Sequence, residues 1–187
     1  MNTGQIIKTF TSKSEKNVVL RYPTMEDLEQ LLEFINELSK EDTFITFSGE
    51  TITREEEEKF LKSTLEKMRK GDQIMLLAFI RNHLIGNCGI ERDFDAKKRS
   101  SHIGIVGISL KKAYRNDGIG FRMLKTLIDL SYEMKNLRFL RLDVYSVNEK
   151  AFKLYQKMGF IEYGRLPKGI RYKNELVDKI EMYKSFR

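Results

Sequence analysis

A glycine-rich turn between an apolar run and an amphipathic pattern is the feature that most constrains the fold of this chain. The run SHIGIVGISL (101–110) is apolar on both faces, which is typical of a central strand. The segment RNDGIG (115–120) follows, and apolar residues then recur at helical spacing from about 119 to 135. A strand, a turn and a helix in this order indicate a mixed α/β fold, with unsatisfied N–H groups where the helix begins.

The remaining periodicity predicts the element order β-α-α-β-β-β-α-β-α-β-β. The predicted strands cover 17–22, 73–80, 84–94, 101–110, 138–144, 160–166 and 176–184. The predicted helices cover about 25–38, 53–71, 119–135 and 148–158, and 41–51 is predicted to be a loop. Because no stretch has linker composition, we predict one domain over 1–187, with 1–16 as a flexible or extra N-terminal segment.

Composition narrows the class of protein. The net charge is +7, but the 34 basic and 27 acidic residues are mixed along the chain, which argues against a nucleic-acid-binding stripe. A single cysteine, Cys88, excludes a disulfide framework and favours a reducing compartment. No apolar run reaches 18 residues, so we expect no membrane partner. We expect the protein to be cytoplasmic. We expect it to be either a monomer or a homodimer. His83 and Cys88 have no partner at metal-ligand spacing, so we expect no metal site.

The glycine-rich turn has the chemistry of an anion site. Backbone N–H groups and the positive end of the helix dipole favour phosphate, and glycines allow a ligand to approach the backbone closely. Arg115 offers a charge-assisted donor. A P-loop is excluded because no Gly-Lys-Ser/Thr follows, and the dinucleotide fingerprint fails because Met123 occupies its third glycine position.

Two segments together resemble the GCN5-related N-acetyltransferases, the GNAT superfamily. RNDGIG (115–120) is similar to the family's acetyl-CoA motif, Arg/Gln-x-x-Gly-x-Gly/Ala after a central strand. NEKAFKLYQKMGF (148–160) is similar to a second family segment, and its matching positions are Asn148, Ala151, Tyr155, Gly159 and Phe160. The resemblance covers the chain from about residue 17 to the end. It implies a GNAT fold, which is a mixed sheet of six to seven strands with a V-shaped splay, flanked by about four helices.

The resemblance also implies acetyl-CoA as the cofactor and a set of residues that bind it. The pyrophosphate is expected on the turn, which consists of Arg115, Asn116, Asp117, Gly118, Ile119 and Gly120. The pantetheine arm is expected to pair with the end of the central strand, at Ile108, Ser109 and Leu110. Asn148 is expected to contact the cofactor and to cap a helix.

Proton transfers define the remaining expectations about the site. The resemblance suggests Tyr155 as the acid that protonates the departing thiolate, because a phenol is protonated at neutral pH. Many family members carry a glutamate on the central strand as the base, whereas the corresponding position here is predicted to be Ile105. Glu91 is the first substitute, and His102 or a water chain are alternatives.

The acceptor is expected to be a primary amine of a small molecule such as a polyamine or an amino acid. The acidic residues of the loop 41–51 favour a cation, whereas Arg165, Lys168, Arg171 and Lys173 favour an anionic acceptor. Acetylation of a protein N-terminus, including that of a ribosomal protein, is the leading alternative. A non-catalytic acetyl-CoA sensor and a basic nucleic-acid-binding module are the others.

Overall fold

A computed structural model describes residues 2–95 and 97–186. It shows a mixed α/β fold with eight strands and four α-helices. The strands are β1 (Ile6–Thr11), β2 (Asn17–Arg21), β3 (Gln73–Ile80), β4 (His83–Arg92), β5 (Ile103–Leu110), β6 (Phe139–Tyr145), β7 (Ile161–Tyr172) and β8 (Glu175–Ser185). The helices are α1 (Leu28–Glu41), α2 (Arg54–Lys70), α3 (Ile119–Ser131) and α4 (Glu149–Lys157). The chain divides into two compact units, 2–91 with 107–135, and 92–106 with 136–186.

The first unit holds four antiparallel strands in the order β1-β2-β3-β4. Helices α2 and α3 both contact β3, and seven of its eight residues are buried, so both of its faces are covered. Local signals set the ends of α2. Thr53 and Glu56 form a capping box at its start, and Gly71 ends it in the left-handed region at φ 79°.

The second unit holds the start of β5 and the last three strands. Residues Ile103–Ile105 pair in parallel with β6, β6 pairs antiparallel with β8, and β8 pairs antiparallel with β7. Alternate residues of β6, such as Leu142, are buried beside Met182 and its neighbours on β8. The alternating pattern therefore puts the core of this unit on one sheet face.

Two features of the strands differ from the expectation. Strand β1 was not predicted, because Phe10 is its only buried residue and the alternation of its sequence is weak. Strand β7 continues through Pro167 to Tyr172, beyond the predicted end of the strand at residue 166. The register of β7 with β8 shifts between Leu166 and Ile170, and such irregularities accommodate a residue that has no N–H donor. The strand count is therefore eight rather than six or seven.

A glycine of β4 lets that strand approach the end of β5 closely. Lys111 N donates to Ile85 O at 2.9 Å, just beyond β5. A Cβ on Gly86 would lie 2.5 Å from Leu110 Cδ2 and 2.7 Å from Ser109 O. The position of the last two residues of β5 therefore depends on the absence of a side chain at residue 86.

Among the described residues, no helix is both long and apolar enough to cross a bilayer.

We expect Gly86→Ala to lower the free energy of unfolding by about 1–3 kcal/mol, because the added methyl group overlaps a backbone oxygen that cannot move alone. Gly107→Ala is the matched control, since a Cβ there meets nothing within 4 Å. Chemical denaturation measures both variants. Equal stability of the two variants would contradict the close-approach argument.

Candidate functional site

The turn between β5 and α3 uses two left-handed residues. Asn116 has φ 64° and Gly118 has φ 78°, and Gly118 is the N-cap of α3. Asparagine and glycine are the residue types that tolerate this region best. The sequence therefore supplies the residues that a sharp entry into α3 requires.

The turn presents backbone donors that the protein itself does not use. Within the described parts of the chain, the N–H groups of Asn116, Asp117 and Gly118 donate to no protein acceptor. The first N–H groups of α3 also lack partners inside the helix, and the helix dipole adds positive potential there. These donors fit a phosphate anion, so the structure places the predicted anion-binding groups together.

Arg115 anchors the turn to two other elements. Its Nη1 and Nη2 atoms donate to the two carboxylate oxygens of Glu41, at 2.5 and 2.8 Å, and its Nε donates to Leu110 O at 2.8 Å. The bidentate pair attaches the turn to the end of α1, and the hydrogen bond from Nε attaches it to the end of β5. The guanidinium group thus acts as a positioning group, and contact between this side chain and a phosphate stays a prediction.

Asp117 anchors the turn on its other side. Its carboxylate accepts from Ser14 N at 2.7 Å and from Ser14 Oγ at 2.5 Å, and its carbonyl oxygen accepts from Lys13 N at 3.1 Å. The hydrogen bond from Ser14 Oγ is the largest cause that lowers the pKa of Asp117. The sequence has no local signal for the roles of Ser14 and Glu41, because these residues are 103 and 74 positions away from their partners in the turn.

The second unit carries Asn148 and Tyr155. Asn148 Oδ1 accepts from Ala151 N at 3.3 Å, so this residue caps α4 as expected. Tyr155 is buried, and its ring lies edge-on to Phe160 at a centroid distance of 6.0 Å. Burial raises the pKa of Tyr155 to about 12, so its phenol is protonated at neutral pH.

The candidate bases have different surroundings. The Glu91 carboxylate forms an ion pair with Lys67 Nζ at 2.5 Å, and both side chains are partly exposed. His102 comes just before β5 and lies edge-on to Phe139, with ring centroids 5.9 Å apart. Ile105 is 38% exposed and pairs with Arg141 of β6. The Lys67 ammonium occupies a carboxylate oxygen of Glu91, so an acceptor would have to displace it before Glu91 could act as a base.

Cys88 is buried in the first unit. Its thiol points to Met123 O at 3.9 Å, and burial raises the pKa of the thiol. A buried thiol of this kind is not reactive. Residues 2–95 and 97–186 contain no group of three or more His, Cys, Asp or Glu placed to hold a metal ion.

Comparisons with known proteins place the chain in a family. The sequence model of the Acetyltransferase (GNAT) family matches residues 32–160. The chain belongs to the GNAT family. An acetyltransferase of this family from Streptococcus pneumoniae has a solved structure that is 32% identical in sequence, with a TM-score of 0.81. The match covers 90% of this chain and 99% of that one. The GNAT family and fold predicted from the sequence are therefore confirmed.

Curated relatives of the chain acetylate different amines, according to their names. A probable spermine N(1)-acetyltransferase of Bacillus subtilis subsp. natto (strain BEST195) is 28% identical over 42% of this chain and 51% of its own length. The L-amino acid N-acetyltransferase AaaT of Escherichia coli (strain K12) is 27% identical over 57% of this chain and 65% of its own length. The chain thus matches less than two thirds of each of these relatives.

One more solved structure of the same fold contains the coenzyme. It is the ribosomal L7/L12 alpha-N-protein acetyltransferase RimL in complex with coenzyme A, with a TM-score of 0.78 and 14% identity. The match covers 97% of this chain and 98% of that one. At this identity the likeness concerns the fold alone.

We expect the Arg115–Glu41 pair to stabilise the turn measurably. Arg115→Lys and Glu41→Gln should each lower the free energy of unfolding by about 1 kcal/mol, because lysine cannot form the bidentate contact and glutamine has no charge. A double-mutant cycle should give a coupling free energy of similar size, since the side chains are only 31% and 24% exposed.

The exposed Lys70–Glu66 pair is the control for this cycle, and its coupling should be at most about 0.5 kcal/mol. Equal coupling in the two pairs would mean that Arg115 does not hold the turn.

Proposed function

We propose that this protein is an acetyl-CoA-dependent N-acetyltransferase that acts on a primary amine of a small molecule such as a polyamine or an amino acid. The observation that carries the proposal is the left-handed turn at 116–118, whose N–H groups have no protein acceptor among the described residues. The turn lies in the acetyl-CoA motif of a chain that belongs to the GNAT family. The named activities of the two curated relatives support an amine as the acceptor.

The residues of the turn have distinct tasks in this proposal. The N–H groups from Asn116 to Gly120 bind the pyrophosphate oxygens, and Gly118 supplies the left-handed N-cap conformation that directs them. Arg115 holds the turn in position through Glu41. The bound cofactor supplies an activated acetyl thioester, and Ile108–Leu110 pair with its pantetheine arm through strand hydrogen bonds.

Tyr155 and one base divide the proton transfers in the proposal. The phenol Oη of Tyr155 donates a proton to the departing sulfur, for which it must be protonated, as burial ensures. The base takes a proton from the acceptor ammonium, whose pKa of about 10.4 keeps the amine largely charged at neutral pH. We favour His102 over Glu91 for this task, because Glu91 is paired with Lys67.

The acceptor-selecting segments carry fewer free charges than their sequences suggest. At the end of α1, Glu41 pairs with Arg115, so the acidic signal of this segment is reduced. In the last hairpin, Arg165 pairs with Glu162 and Asp178, so the basic signal is reduced as well. A small amine is compatible with both of these reductions in free charge. Acetylation of a protein N-terminus is the alternative that an acceptor panel of spermine, amino acids and N-terminal peptides would test.

The proposal predicts that Gly118→Ala lowers the affinity for acetyl-CoA at least about tenfold, because a Cβ at φ 78° strains the N-cap that directs the N–H groups toward a phosphate. Gly71→Ala is the control for backbone strain, since Gly71 has φ 79° and a Cβ there meets nothing within 4 Å. Titration calorimetry measures both variants and the wild type. Wild-type affinity in Gly118→Ala, or no binding by the folded wild type, would overturn the proposal.

The pH dependence of kcat/KM should separate the acid from the base. We expect Tyr155→Phe to lower kcat/KM by about 10²-fold at all pH values from neutral to about pH 10, because a phenol with a pKa of about 12 is protonated throughout this range. His102→Gln should lower it at neutral pH and recover toward pH 10, where amines lose the proton unaided. If Glu91→Gln shows that recovery instead, Glu91 is the base.

A further inference from the structure

The turn between β1 and β2 lies against the glycine-rich motif. This β1–β2 turn (residues 12–16) is closed by hydrogen bonds from Ser12 N to Lys16 O at 2.9 Å and from Glu15 N to Ser12 O at 3.2 Å. Ser14 and the backbone of Lys13 bind Asp117, as described above. The family match covers residues 32–160, so this turn lies outside the matched residues.

Two cation–aromatic contacts hold the same hairpin beside α3. Lys16 Nζ lies 5.2 Å from the ring centroid of Tyr114, and the Arg122 guanidinium lies 6.0 Å from that of Phe10. Each contact joins the hairpin to the segment that surrounds the motif, and each adds a favourable electrostatic attraction between the cation and the ring. The position of the β1–β2 turn on the motif thus rests on several independent contacts.

The side chain of Lys13 crosses the motif at its glycine N-cap. A Cβ on Gly118 would lie 3.5, 3.6 and 3.8 Å from Lys13 Cγ, Cε and Cδ. The ammonium group is one bond beyond Cε, so it reaches the surroundings of the unpartnered N–H groups at 116–118. Lys13 is exposed. In the part of the chain that the structure describes, no carboxylate forms an ion pair with its ammonium group.

We propose that Lys13 is a cofactor-binding residue whose ammonium group binds a phosphate oxygen of the coenzyme. The inference rests on the proposed function, since that function places the pyrophosphate on the turn at 116–118. Lys13 supplies the positive charge that the Arg115 guanidinium, engaged by Glu41, does not direct to the ligand. A lysine suits this place because its ammonium is a compact charge on a flexible stem, which can follow a phosphate oxygen.

Calorimetric titration with coenzyme A tests this role. We expect Lys13→Met, which keeps the unbranched stem and removes the charge, to weaken binding about tenfold, as is typical for the loss of a charge-assisted hydrogen bond. Lys13→Arg should restore most of the affinity. Lys59→Met is the control for net charge, because Lys59 is exposed on α2, and it should bind as the wild type does.

A second measurement distinguishes the phosphate contact from a structural role. Acetyl-pantetheine lacks phosphate groups, so KM for this truncated donor should be equal in the wild type and Lys13→Met. Equal loss with both donors would mean that Lys13 only supports the fold. Tighter binding of coenzyme A by Lys13→Met would mean that the side chain covers the motif and must be displaced. If the wild type binds but Lys13→Met matches it, only this inference fails, whereas no wild-type binding overturns the proposed function itself.

Discussion

The unsatisfied N–H groups at the start of α3 are the constraint on which the candidate site depends. An exposed left-handed turn with free donors has little to hold it, because its backbone makes few internal hydrogen bonds. The chain fixes it from two sides, by the Arg115–Glu41 pair and by the Asp117–Ser14 hydrogen bonds. These contacts use side chains, so the backbone donors are left for an anion.

The parts of the fold that local chemistry determines could be predicted from the sequence. Helix α2 is an example, since Thr53, Glu56 and Gly71 mark both of its ends within the segment itself. Strand β1 could not be predicted, because five of its six residues are not buried and its pairing partner, rather than its own pattern, makes it a strand. The extension of β7 beyond residue 166 could not be predicted either, because a shifted register with β8 lets the strand accommodate Pro167.

The candidate site also has one part that local sequence determines and another that depends on tertiary structure. The donors at 116–118 could be predicted, because a glycine-rich turn before a helix has free N–H groups whatever surrounds it. The partners of the turn could not be predicted, because Glu41, Ser14 and Lys13 reach it only through tertiary structure. The consequence is chemical as well as geometric: the arginine that looks like a phosphate ligand in the sequence is engaged, and an unremarked lysine lies over the motif.

Burial of Tyr155 bears on the proposed acid in two ways. It raises the pKa of the phenol to about 12, which keeps the proton available but makes its transfer harder. The thiolate of an ordinary thiol, whose pKa is about 8.5, would be too weak a base to accept this proton readily. Burial also raises the pKa of a thiol, as Cys88 of this chain illustrates. A departing sulfur excluded from water therefore becomes a better match for the buried phenol, so exclusion of water, rather than the tyrosine alone, would make the transfer feasible.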